Sequence, residues 1–292
     1  MDKLIDIRDV RHTFTTRTGP LPVLDGLDVS VDEGGFTAVV GPSGCGKSTL
    51  TRLIAGLMIP DAGEVRVHGA PVTGPRSNVG MAFQNPVLLE WRTILQNVLL
   101  PLEIVPTTLP KREQEARARR LLSLVGLEGF EDKRPSELSG GMRQRASLCR
   151  ALIHTPEVLI LDEPFGALDA FTREDLWQIM HEVKRAEPFT GVLITHDLRE
   201  AIFLADRVVV LSGRPARTQY VLDVPDTGPR DLDHLYTPEA AEMLTLLRHQ
   251  IEIAQGRAPA EPAAGDPVPG EPATETDAAP APPPGSAARG MH

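Results

Sequence analysis

Residues 36–57 read FTAVVGPSGCGKSTLTRLIAGL, and this stretch decides the fold. Within it, the segment 41–48 matches the phosphate-binding pattern G-x-x-x-x-G-K-[ST]. FTAVV before the pattern predicts a strand and TLTRLIAGL after it predicts a helix, which is the context that the pattern requires. The glycines let main-chain N–H groups point at phosphates, and the helix N-terminus adds partial positive charge. The stretch therefore predicts a nucleotide-binding α/β domain.

Two side chains of this loop are suited to particular parts of a nucleotide. Lys47 would bring a full positive charge to the β- and γ-phosphates, and Ser48 would offer a hydroxyl ligand to Mg²⁺. Kinases, GTPases and many ATPases share this loop, so the rest of the sequence must choose between them.

A second predicted strand ends in two carboxylates. The sequence VLILDE occupies positions 158–163. A strand end lies at the carboxyl edge of an open α/β sheet, where ligands bind. Asp162 is therefore predicted to hold Mg²⁺ through water, and Glu163 to orient and deprotonate the attacking water.

The segment LSGGMRQR, 138–145, predicts a second anion site. Ser139 is suited to cap a helix, and Gly140 and Gly141 would expose backbone N–H groups at its start. Taken alone, LSGG is equally typical of an ordinary helix cap. Because one chain holds one γ-phosphate but carries two phosphate cradles, we expect the second cradle to serve a nucleotide bound by another subunit, in a homodimer.

With these motifs in this order, residues 1–256 resemble the ABC (ATP-binding cassette) ATPases, whose signature is LSGGQ; Met142 is a common variant of its last position. The resemblance covers three further motifs. It implies that Gln84 is the Q-loop residue that reports on the γ-phosphate and Mg²⁺. It implies that Asp169, in ALD, belongs to the D-loop of the dimer, and that His196, in VLITHD, contacts the γ-phosphate.

Phe14, in VRHTF, stands where family members place an aromatic ring on adenine; the alternative is a core aromatic at a strand end. The resemblance thus implies a full set of site residues. The catalytic group is Glu163, His196, Gln84 and Lys47. The Mg²⁺ ligands are Ser48, Gln84 and Asp162. The residues predicted to bind ATP are Phe14, Gly41, Pro42, Ser43, Gly44, Cys45, Gly46, Lys47, Ser48, Thr49, Ser139, Gly140 and Gly141.

Composition limits the possible partners. The chain has 292 residues and a formal net charge of −10, which argues against a nucleic-acid partner. Its two cysteines, Cys45 and Cys149, cannot form a disulfide framework and fit a reducing cytosol. We find no apolar run of 18 residues and no signal-peptide pattern. We therefore expect the protein at the cytoplasmic face of a membrane, with other chains supplying the membrane part.

The rest of 1–256 alternates between short β-branched runs and helical patterns, as in an α/β fold. The predicted strands are 4–10, 29–31, 36–40, 64–67, 79–83, 158–161, 192–195 and 208–211. The predicted helices are 112–125, with Gly126 as its stop, 171–185, 197–205 and 238–254. The resemblance implies a P-loop NTPase (RecA-like) core with an antiparallel β subdomain and an α-helical signature subdomain over about 85–150.

Residues 257–292 are mostly Ala, Pro, Gly and acidic residues. Such a composition cannot bury enough apolar area to offset its ordering entropy, so we predict a disordered tail that is dispensable for catalysis. A Pro-rich docking peptide is the alternative.

The stretch from Phe83 to Glu103 looks like the nitrate, sulfonate and taurine importer group, as does 207–218, although Glu90 and Gly35 depart from its usual residues. The likeness implies membrane permease subunits and, indirectly, a solute-binding protein. Between Gln84 and Leu102 the chain is unusually apolar, which predicts either a permease-docking surface or a subdomain core. The apolar residues there are Val87, Leu88, Leu89, Trp91, Ile94, Val98 and Leu99.

Three other functions compete with a transporter ATPase. A non-transport ABC ATPase would show a basic surface or an inserted arm, yet only about 54 residues separate Gln84 from Ser139. A P-loop kinase or GTPase is disfavoured by LSGGM and His196. A regulatory binder without activity is disfavoured by the intact Lys47 and Glu163.

Overall fold

The computed structural model describes residues 3–225 and 230–257. Its larger sheet has six strands, in the order β10-β9-β3-β8-β7-β6, and all neighbours are parallel except β10 with β9. These strands are β3 (Phe36–Val40), β6 (Val79–Phe83), β7 (Val158–Asp162), β8 (Thr190–Ile194), β9 (Arg207–Leu211) and β10 (Thr218–Asp223). Every residue of β3 and β8 is buried, as expected for central parallel strands covered on both faces.

The smaller sheet is antiparallel, in the order β2-β1-β4-β5. Its strands are β1 (Lys3–Thr16), β2 (Gly19–Asp32), β4 (Ala62–Val67) and β5 (Ala70–Pro71). In the β1–β2 pair, Phe14 stands opposite Leu21, so the far end of this hairpin presents an aromatic and an aliphatic side chain together.

Seven α-helices lie in the described part of the chain. They are α1 (Lys47–Ile54), α2 (Ile94–Ile104), α3 (Lys111–Leu124), α4 (Gly140–Leu152), α5 (Ala170–Ala186), α6 (Leu198–Leu204) and α7 (Pro238–Ala254), with short 3-10 turns at Pro135–Glu137 and Leu232–Tyr236. No helix among the described residues is both long and apolar enough to span a bilayer.

Two hydrophobic cores flank the larger sheet, because successive strand side chains point to opposite faces. Along β7, Leu159 and Leu161 join the core that contains helices α2–α7, whereas Val158 and Ile160 join the core shared with α1 and the smaller sheet. The larger sheet is thus packed against a hydrophobic core on each face.

The predicted fold class is confirmed: the chain forms an α/β P-loop core, an antiparallel sheet and a helical subdomain. Helix α7 has the predicted bounds, and Gly126 is left-handed after α3, at φ 70°. The sequence patterns do not predict α2, β5 or β10, and the predicted strands 4–10 and 29–31 are shorter than β1 and β2. The domain bounds 1–256 and 257–292 stay predictions, since beyond Arg257 the tail lies outside the described residues.

Candidate functional site

The loop between β3 and α1 curls around the start of the helix. Gly46 precedes α1 at φ 126°, and a Cβ there would lie 2.8 Å from Val23 Cγ1. Only glycine fits both the backbone and the space. The largely buried Lys47 donates from Nζ to the carbonyl oxygens of Gly41, at 2.8 Å, and Pro42, at 3.0 Å. The lysine ammonium is therefore held inside its own loop.

A cavity of about 340 Å³ opens beside this loop. Its polar wall belongs to the phosphate-binding loop, and its apolar wall to the hairpin of β1 and β2. The residues lining it are Phe14, Leu21, Val23, Ser43, Gly44, Gly46, Lys47, Ser48, Thr49, Glu163 and Arg214. Phe14 is half-buried and meets His12 edge-to-face, with ring centroids 4.8 Å apart. An aromatic end and an N–H-rich end suit a base and a phosphate chain respectively.

Two oxygen-bearing side chains meet at the start of α1. Ser48 Oγ donates to Asp162 Oδ1 at 3.3 Å. Desolvation raises the pKa of the Asp162 carboxyl, and the Ser48 hydrogen bond only partly opposes that shift. Hydroxyl and carboxylate oxygens are the ligands that Mg²⁺ prefers, so this pair fits the predicted ion.

Three predicted residues converge at the edge of the larger sheet. Glu163 follows β7, and its Oε2 lies 3.5 Å from Gln84 Nε2 and 3.4 Å from His196 Nδ1. The Glu163 backbone is left-handed, at φ 48°, and its N–H donates to Ile194 O at 2.9 Å. This unusual backbone turns the Glu163 side chain toward the cavity that it lines.

The signature residues lie elsewhere in the same chain. Ser139 caps α4, and its Oγ accepts from Met142 N at 3.3 Å. Asp169 caps α5 and accepts from Thr172 N at 3.0 Å. A Cβ on Gly141 would lie 2.6 Å from Thr172 Cγ2, so the two helix starts adjoin. Among the described residues that line the cavity, Ser139, Gly140, Gly141 and Asp169 do not appear.

Two side chains that the sequence analysis missed connect these loops. Arg173 donates to Leu168 O at 3.0 Å and pairs with Asp197 Oδ2 at 2.8 Å, which joins the segment before Asp169 to the segment after His196. Gln144, on α4, is buried and donates to Phe83 O at 3.1 Å, beside Gln84. Gln144 lies within LSGGMRQR, but that motif assigns it no role, and Arg173 lies outside every motif.

Three cavity residues were also missed: Leu21, Val23 and Arg214. Arg214 belongs to the 207–218 stretch that marked the importer-like group, which was the only available signal. Contacts between β2 and the loop after β9 place all three beside the phosphate-binding loop.

The family model described as "ABC transporter" matches residues 24–166. The chain is 42% identical over 232 residues to the bicarbonate transport ATP-binding protein CmpD of Synechocystis, covering 79% of this chain and 82% of the relative. It is 42% identical over 238 residues to the nitrate import ATP-binding protein NrtD of Synechococcus elongatus, with coverages of 81% and 87%. For the aliphatic sulfonates import ATP-binding protein SsuB of Bacillus cereus, identity is 38% over 219 residues, with coverages of 75% and 85%.

A solved structure is also similar. It is the dimeric, post-hydrolysis state of the ATP-binding cassette MJ0796 bound to ADP and Pi. Its TM-score is 0.67 at 28% identity, over 76% of this chain and 99% of the solved chain.

Proposed function

Because this chain belongs to the ABC transporter family of ATP-binding proteins, we propose that it is the ATP-hydrolysing subunit of a membrane importer. It would power the uptake of a small solute through a separate permease at the cytoplasmic face of the membrane. The observation that carries the proposal is one cavity lined by Phe14, the phosphate-binding loop and Glu163. Similarity to proteins named for bicarbonate, nitrate and sulfonate import supports a solute of that kind.

Hydrolysis would depend on the group around Glu163. Glu163 accepts a proton from the attacking water and orients it toward the γ-phosphate. His196 and Gln84, within 3.5 Å of its Oε2, hold the carboxylate in place and face the γ-phosphate themselves. Lys47 and the loop N–H groups bind the phosphates, and Phe14 stacks on the adenine.

The metal would be held by Ser48 and Asp162, with Gln84 as a further ligand. The contact of Ser48 Oγ with Asp162 Oδ1 at 3.3 Å supports this assignment, since it brings both oxygens together at the start of α1. When bound, Mg²⁺ neutralises charge on the phosphate oxygens.

Each nucleotide site would need two chains. Ser139, Gly140 and Gly141 present N–H groups at the start of α4, and Asp169 lies next to them at the start of α5. These residues stand apart from the cavity of their own chain, which supports their serving the cavity of a second copy. In a two-fold dimer each subunit would complete the partner's site, giving two sites per dimer.

The catalytic assignment is tested by changing Glu163→Gln. We expect steady-state ATP turnover to fall at least about 100-fold because the general base is lost, while ATP binding is retained. Glu90→Gln is the matched control, since Glu90 is exposed and is not among the cavity residues. Near-normal hydrolysis by Glu163→Gln would contradict the assignment.

Permease subunits would dock on the segment that follows Gln84. Its apolar side chains differ in burial: Val87 and Trp91 are 61% and 72% exposed. The other five are buried or half-buried, namely Leu88, Leu89, Ile94, Val98 and Leu99. The exposed group supports a docking surface, because an exposed aromatic anchor is typical of interface hot spots.

The backbone of this segment is held firmly. Asn97, fully buried, accepts from Leu89 N at 2.7 Å and donates to Leu89 O at 3.1 Å and Thr93 O at 2.9 Å. Arg150 donates to Val87 O. A permease helix pressing on Trp91 would thus meet a preorganised surface continuous with Gln84, which would couple docking to the γ-phosphate.

A further inference from the structure

Arg214 lines the proposed nucleotide cavity, but none of the roles assigned above belongs to it. It lines this cavity together with Phe14, Val23 and the phosphate-binding loop, and it is exposed to solvent. Within the described part of the chain its guanidinium has no hydrogen bond or ion pair, whereas Arg207 and Arg217 of the same segment pair with Asp223 and Asp25. Its charge is therefore left available to a ligand.

The position of Arg214 is fixed by the loop that carries it. Ser212 N donates to Arg217 O at 2.9 Å, which closes the loop. Beyond Arg214, the fully buried Ala216 donates to Val23 O at 2.8 Å, and its carbonyl accepts from Asp25 N at 3.2 Å. The loop is thus fastened to β2 at the strand that forms the cavity wall.

This attachment brings Arg214 to the aromatic end of the cavity. Only Pro215 separates it from Ala216, so the two Cα atoms lie at most roughly 7 Å apart. Val23, which binds Ala216, is two residues from Leu21, the cross-strand partner of Phe14. Arg214 is therefore anchored near the apolar wall that suits a base, whereas the phosphate end already holds Lys47.

The chemistry of the guanidinium matches that location. It is planar and weakly hydrated, so it stacks on aromatic faces, and it also binds phosphate oxygens. At the base end of the cavity it would meet the face of the base and the α-phosphate, which ATP and ADP share. We propose that Arg214 is a nucleotide-binding residue that contacts the adenosine and α-phosphate half of the bound nucleotide. This inference rests on the proposed ATP-binding function.

Arg214→Ala in the full chain tests the inference by equilibrium binding of ADP and of the non-hydrolysable analogue AMP-PNP. We expect both dissociation constants to rise by a similar factor, roughly three- to tenfold, with the thermal unfolding midpoint unchanged. Arg214→Gln, which keeps a polar side chain but removes the charge and the planar guanidinium, should weaken both ligands in the same way.

Arg112→Ala is the matched control. Arg112 is exposed on α3, has no ion pair among the described residues and does not line the cavity, so both affinities should stay at the wild-type value. Wild-type affinities in both Arg214 variants would overturn the proposal, as would a loss confined to AMP-PNP or an equal loss in Arg112→Ala. Failure of the wild-type chain itself to bind either nucleotide would instead overturn the proposed function.

Discussion

Glu163 shows how single positions create the candidate site. Gln84, Glu163 and His196 follow the carboxyl ends of β6, β7 and β8, three strands that neighbour one another in a parallel sheet. Such strand ends meet at one edge, which brings Gln84 and His196 within 3.5 Å of one Glu163 carboxylate oxygen. The left-handed backbone of Glu163 costs on the order of 1 kcal/mol. The pairing of β7 with its neighbours β6 and β8 must offset that cost.

Glu200 gives a pH prediction at the same scale. Desolvation raises the pKa of this fully buried carboxyl to about 8, although its bond to Thr195 Oγ1, at 2.6 Å, opposes the shift. The folded chain therefore keeps a proton that the unfolded chain releases near pH 4.5. The free energy of unfolding that this protonated Glu200 contributes is complete below pH 4.5 and is lost as the pH rises to 8.

Glu200→Gln should remove this pH dependence, because the amide stays neutral. The unfolding midpoint of the variant relative to wild type should rise between pH 5 and pH 9, by on the order of 5 °C. Glu242→Gln, on the exposed face of α7, is the control and should show no such trend. A constant difference between variant and wild type across this range would contradict the burial argument.

At the scale of elements, helix starts organise the loops around the site. Ser139, Asp169 and Asp197 cap α4, α5 and α6, and Arg173 bridges the last two caps through Leu168 O and Asp197. The capping bonds satisfy backbone N–H groups that the helices leave free. Arg173 thus ties the start of α5 to the segment that carries His196.

The segment between β6 and α2 yields a prediction at this scale. Trp91→Glu should leave nucleotide binding and basal ATPase activity of the isolated subunit unchanged, since the side chain is exposed and is not among the residues that line the cavity. Co-purification with co-expressed permease subunits should be lost, because a charge replaces the aromatic anchor.

Ile59→Glu provides the control for this experiment. Ile59 is also half exposed, at 50%, but lies outside the segment that begins at Gln84, so its variant should still assemble. If Trp91→Glu unfolds, the side chain serves the fold, and if it assembles normally the docking surface is elsewhere.

The sequence predicted those elements whose evidence is local. The strand–loop–helix around Lys47, the carboxylates after β7 and the cap of α4 each follow from neighbouring residues. Helix α2 was not predicted because Pro101 interrupts its helical sequence pattern and its start depends on a Thr93–Gln96 capping box. Arg214 and Arg173 were not predicted as site residues because their positions depend on contacts between segments distant in sequence, such as that of Ala216 with Val23.

At the scale of the whole molecule, one chain would supply only half of each active site. One chain supplies the cavity with Lys47 and Glu163, and it supplies the cradle at Ser139 on a different surface. The MJ0796 relative is a dimer bound to ADP and Pi. Two-fold pairing would give each cavity a cradle from the partner, so that hydrolysis belongs to the dimer.

The most direct test of this central claim mixes two inactive variants, Lys47→Ala and Ser139→Arg, and measures ATPase activity. In a mixed dimer both defects fall in one composite site and the other site is intact. With random pairing, activity should recover to roughly a quarter of the wild-type value. Ser139 is exposed, so the arginine variant should fold. If each chain instead uses its own Ser139, every site carries one of the two defects and no ATPase activity returns. The absence of any recovery of ATPase activity would therefore contradict the shared-site claim.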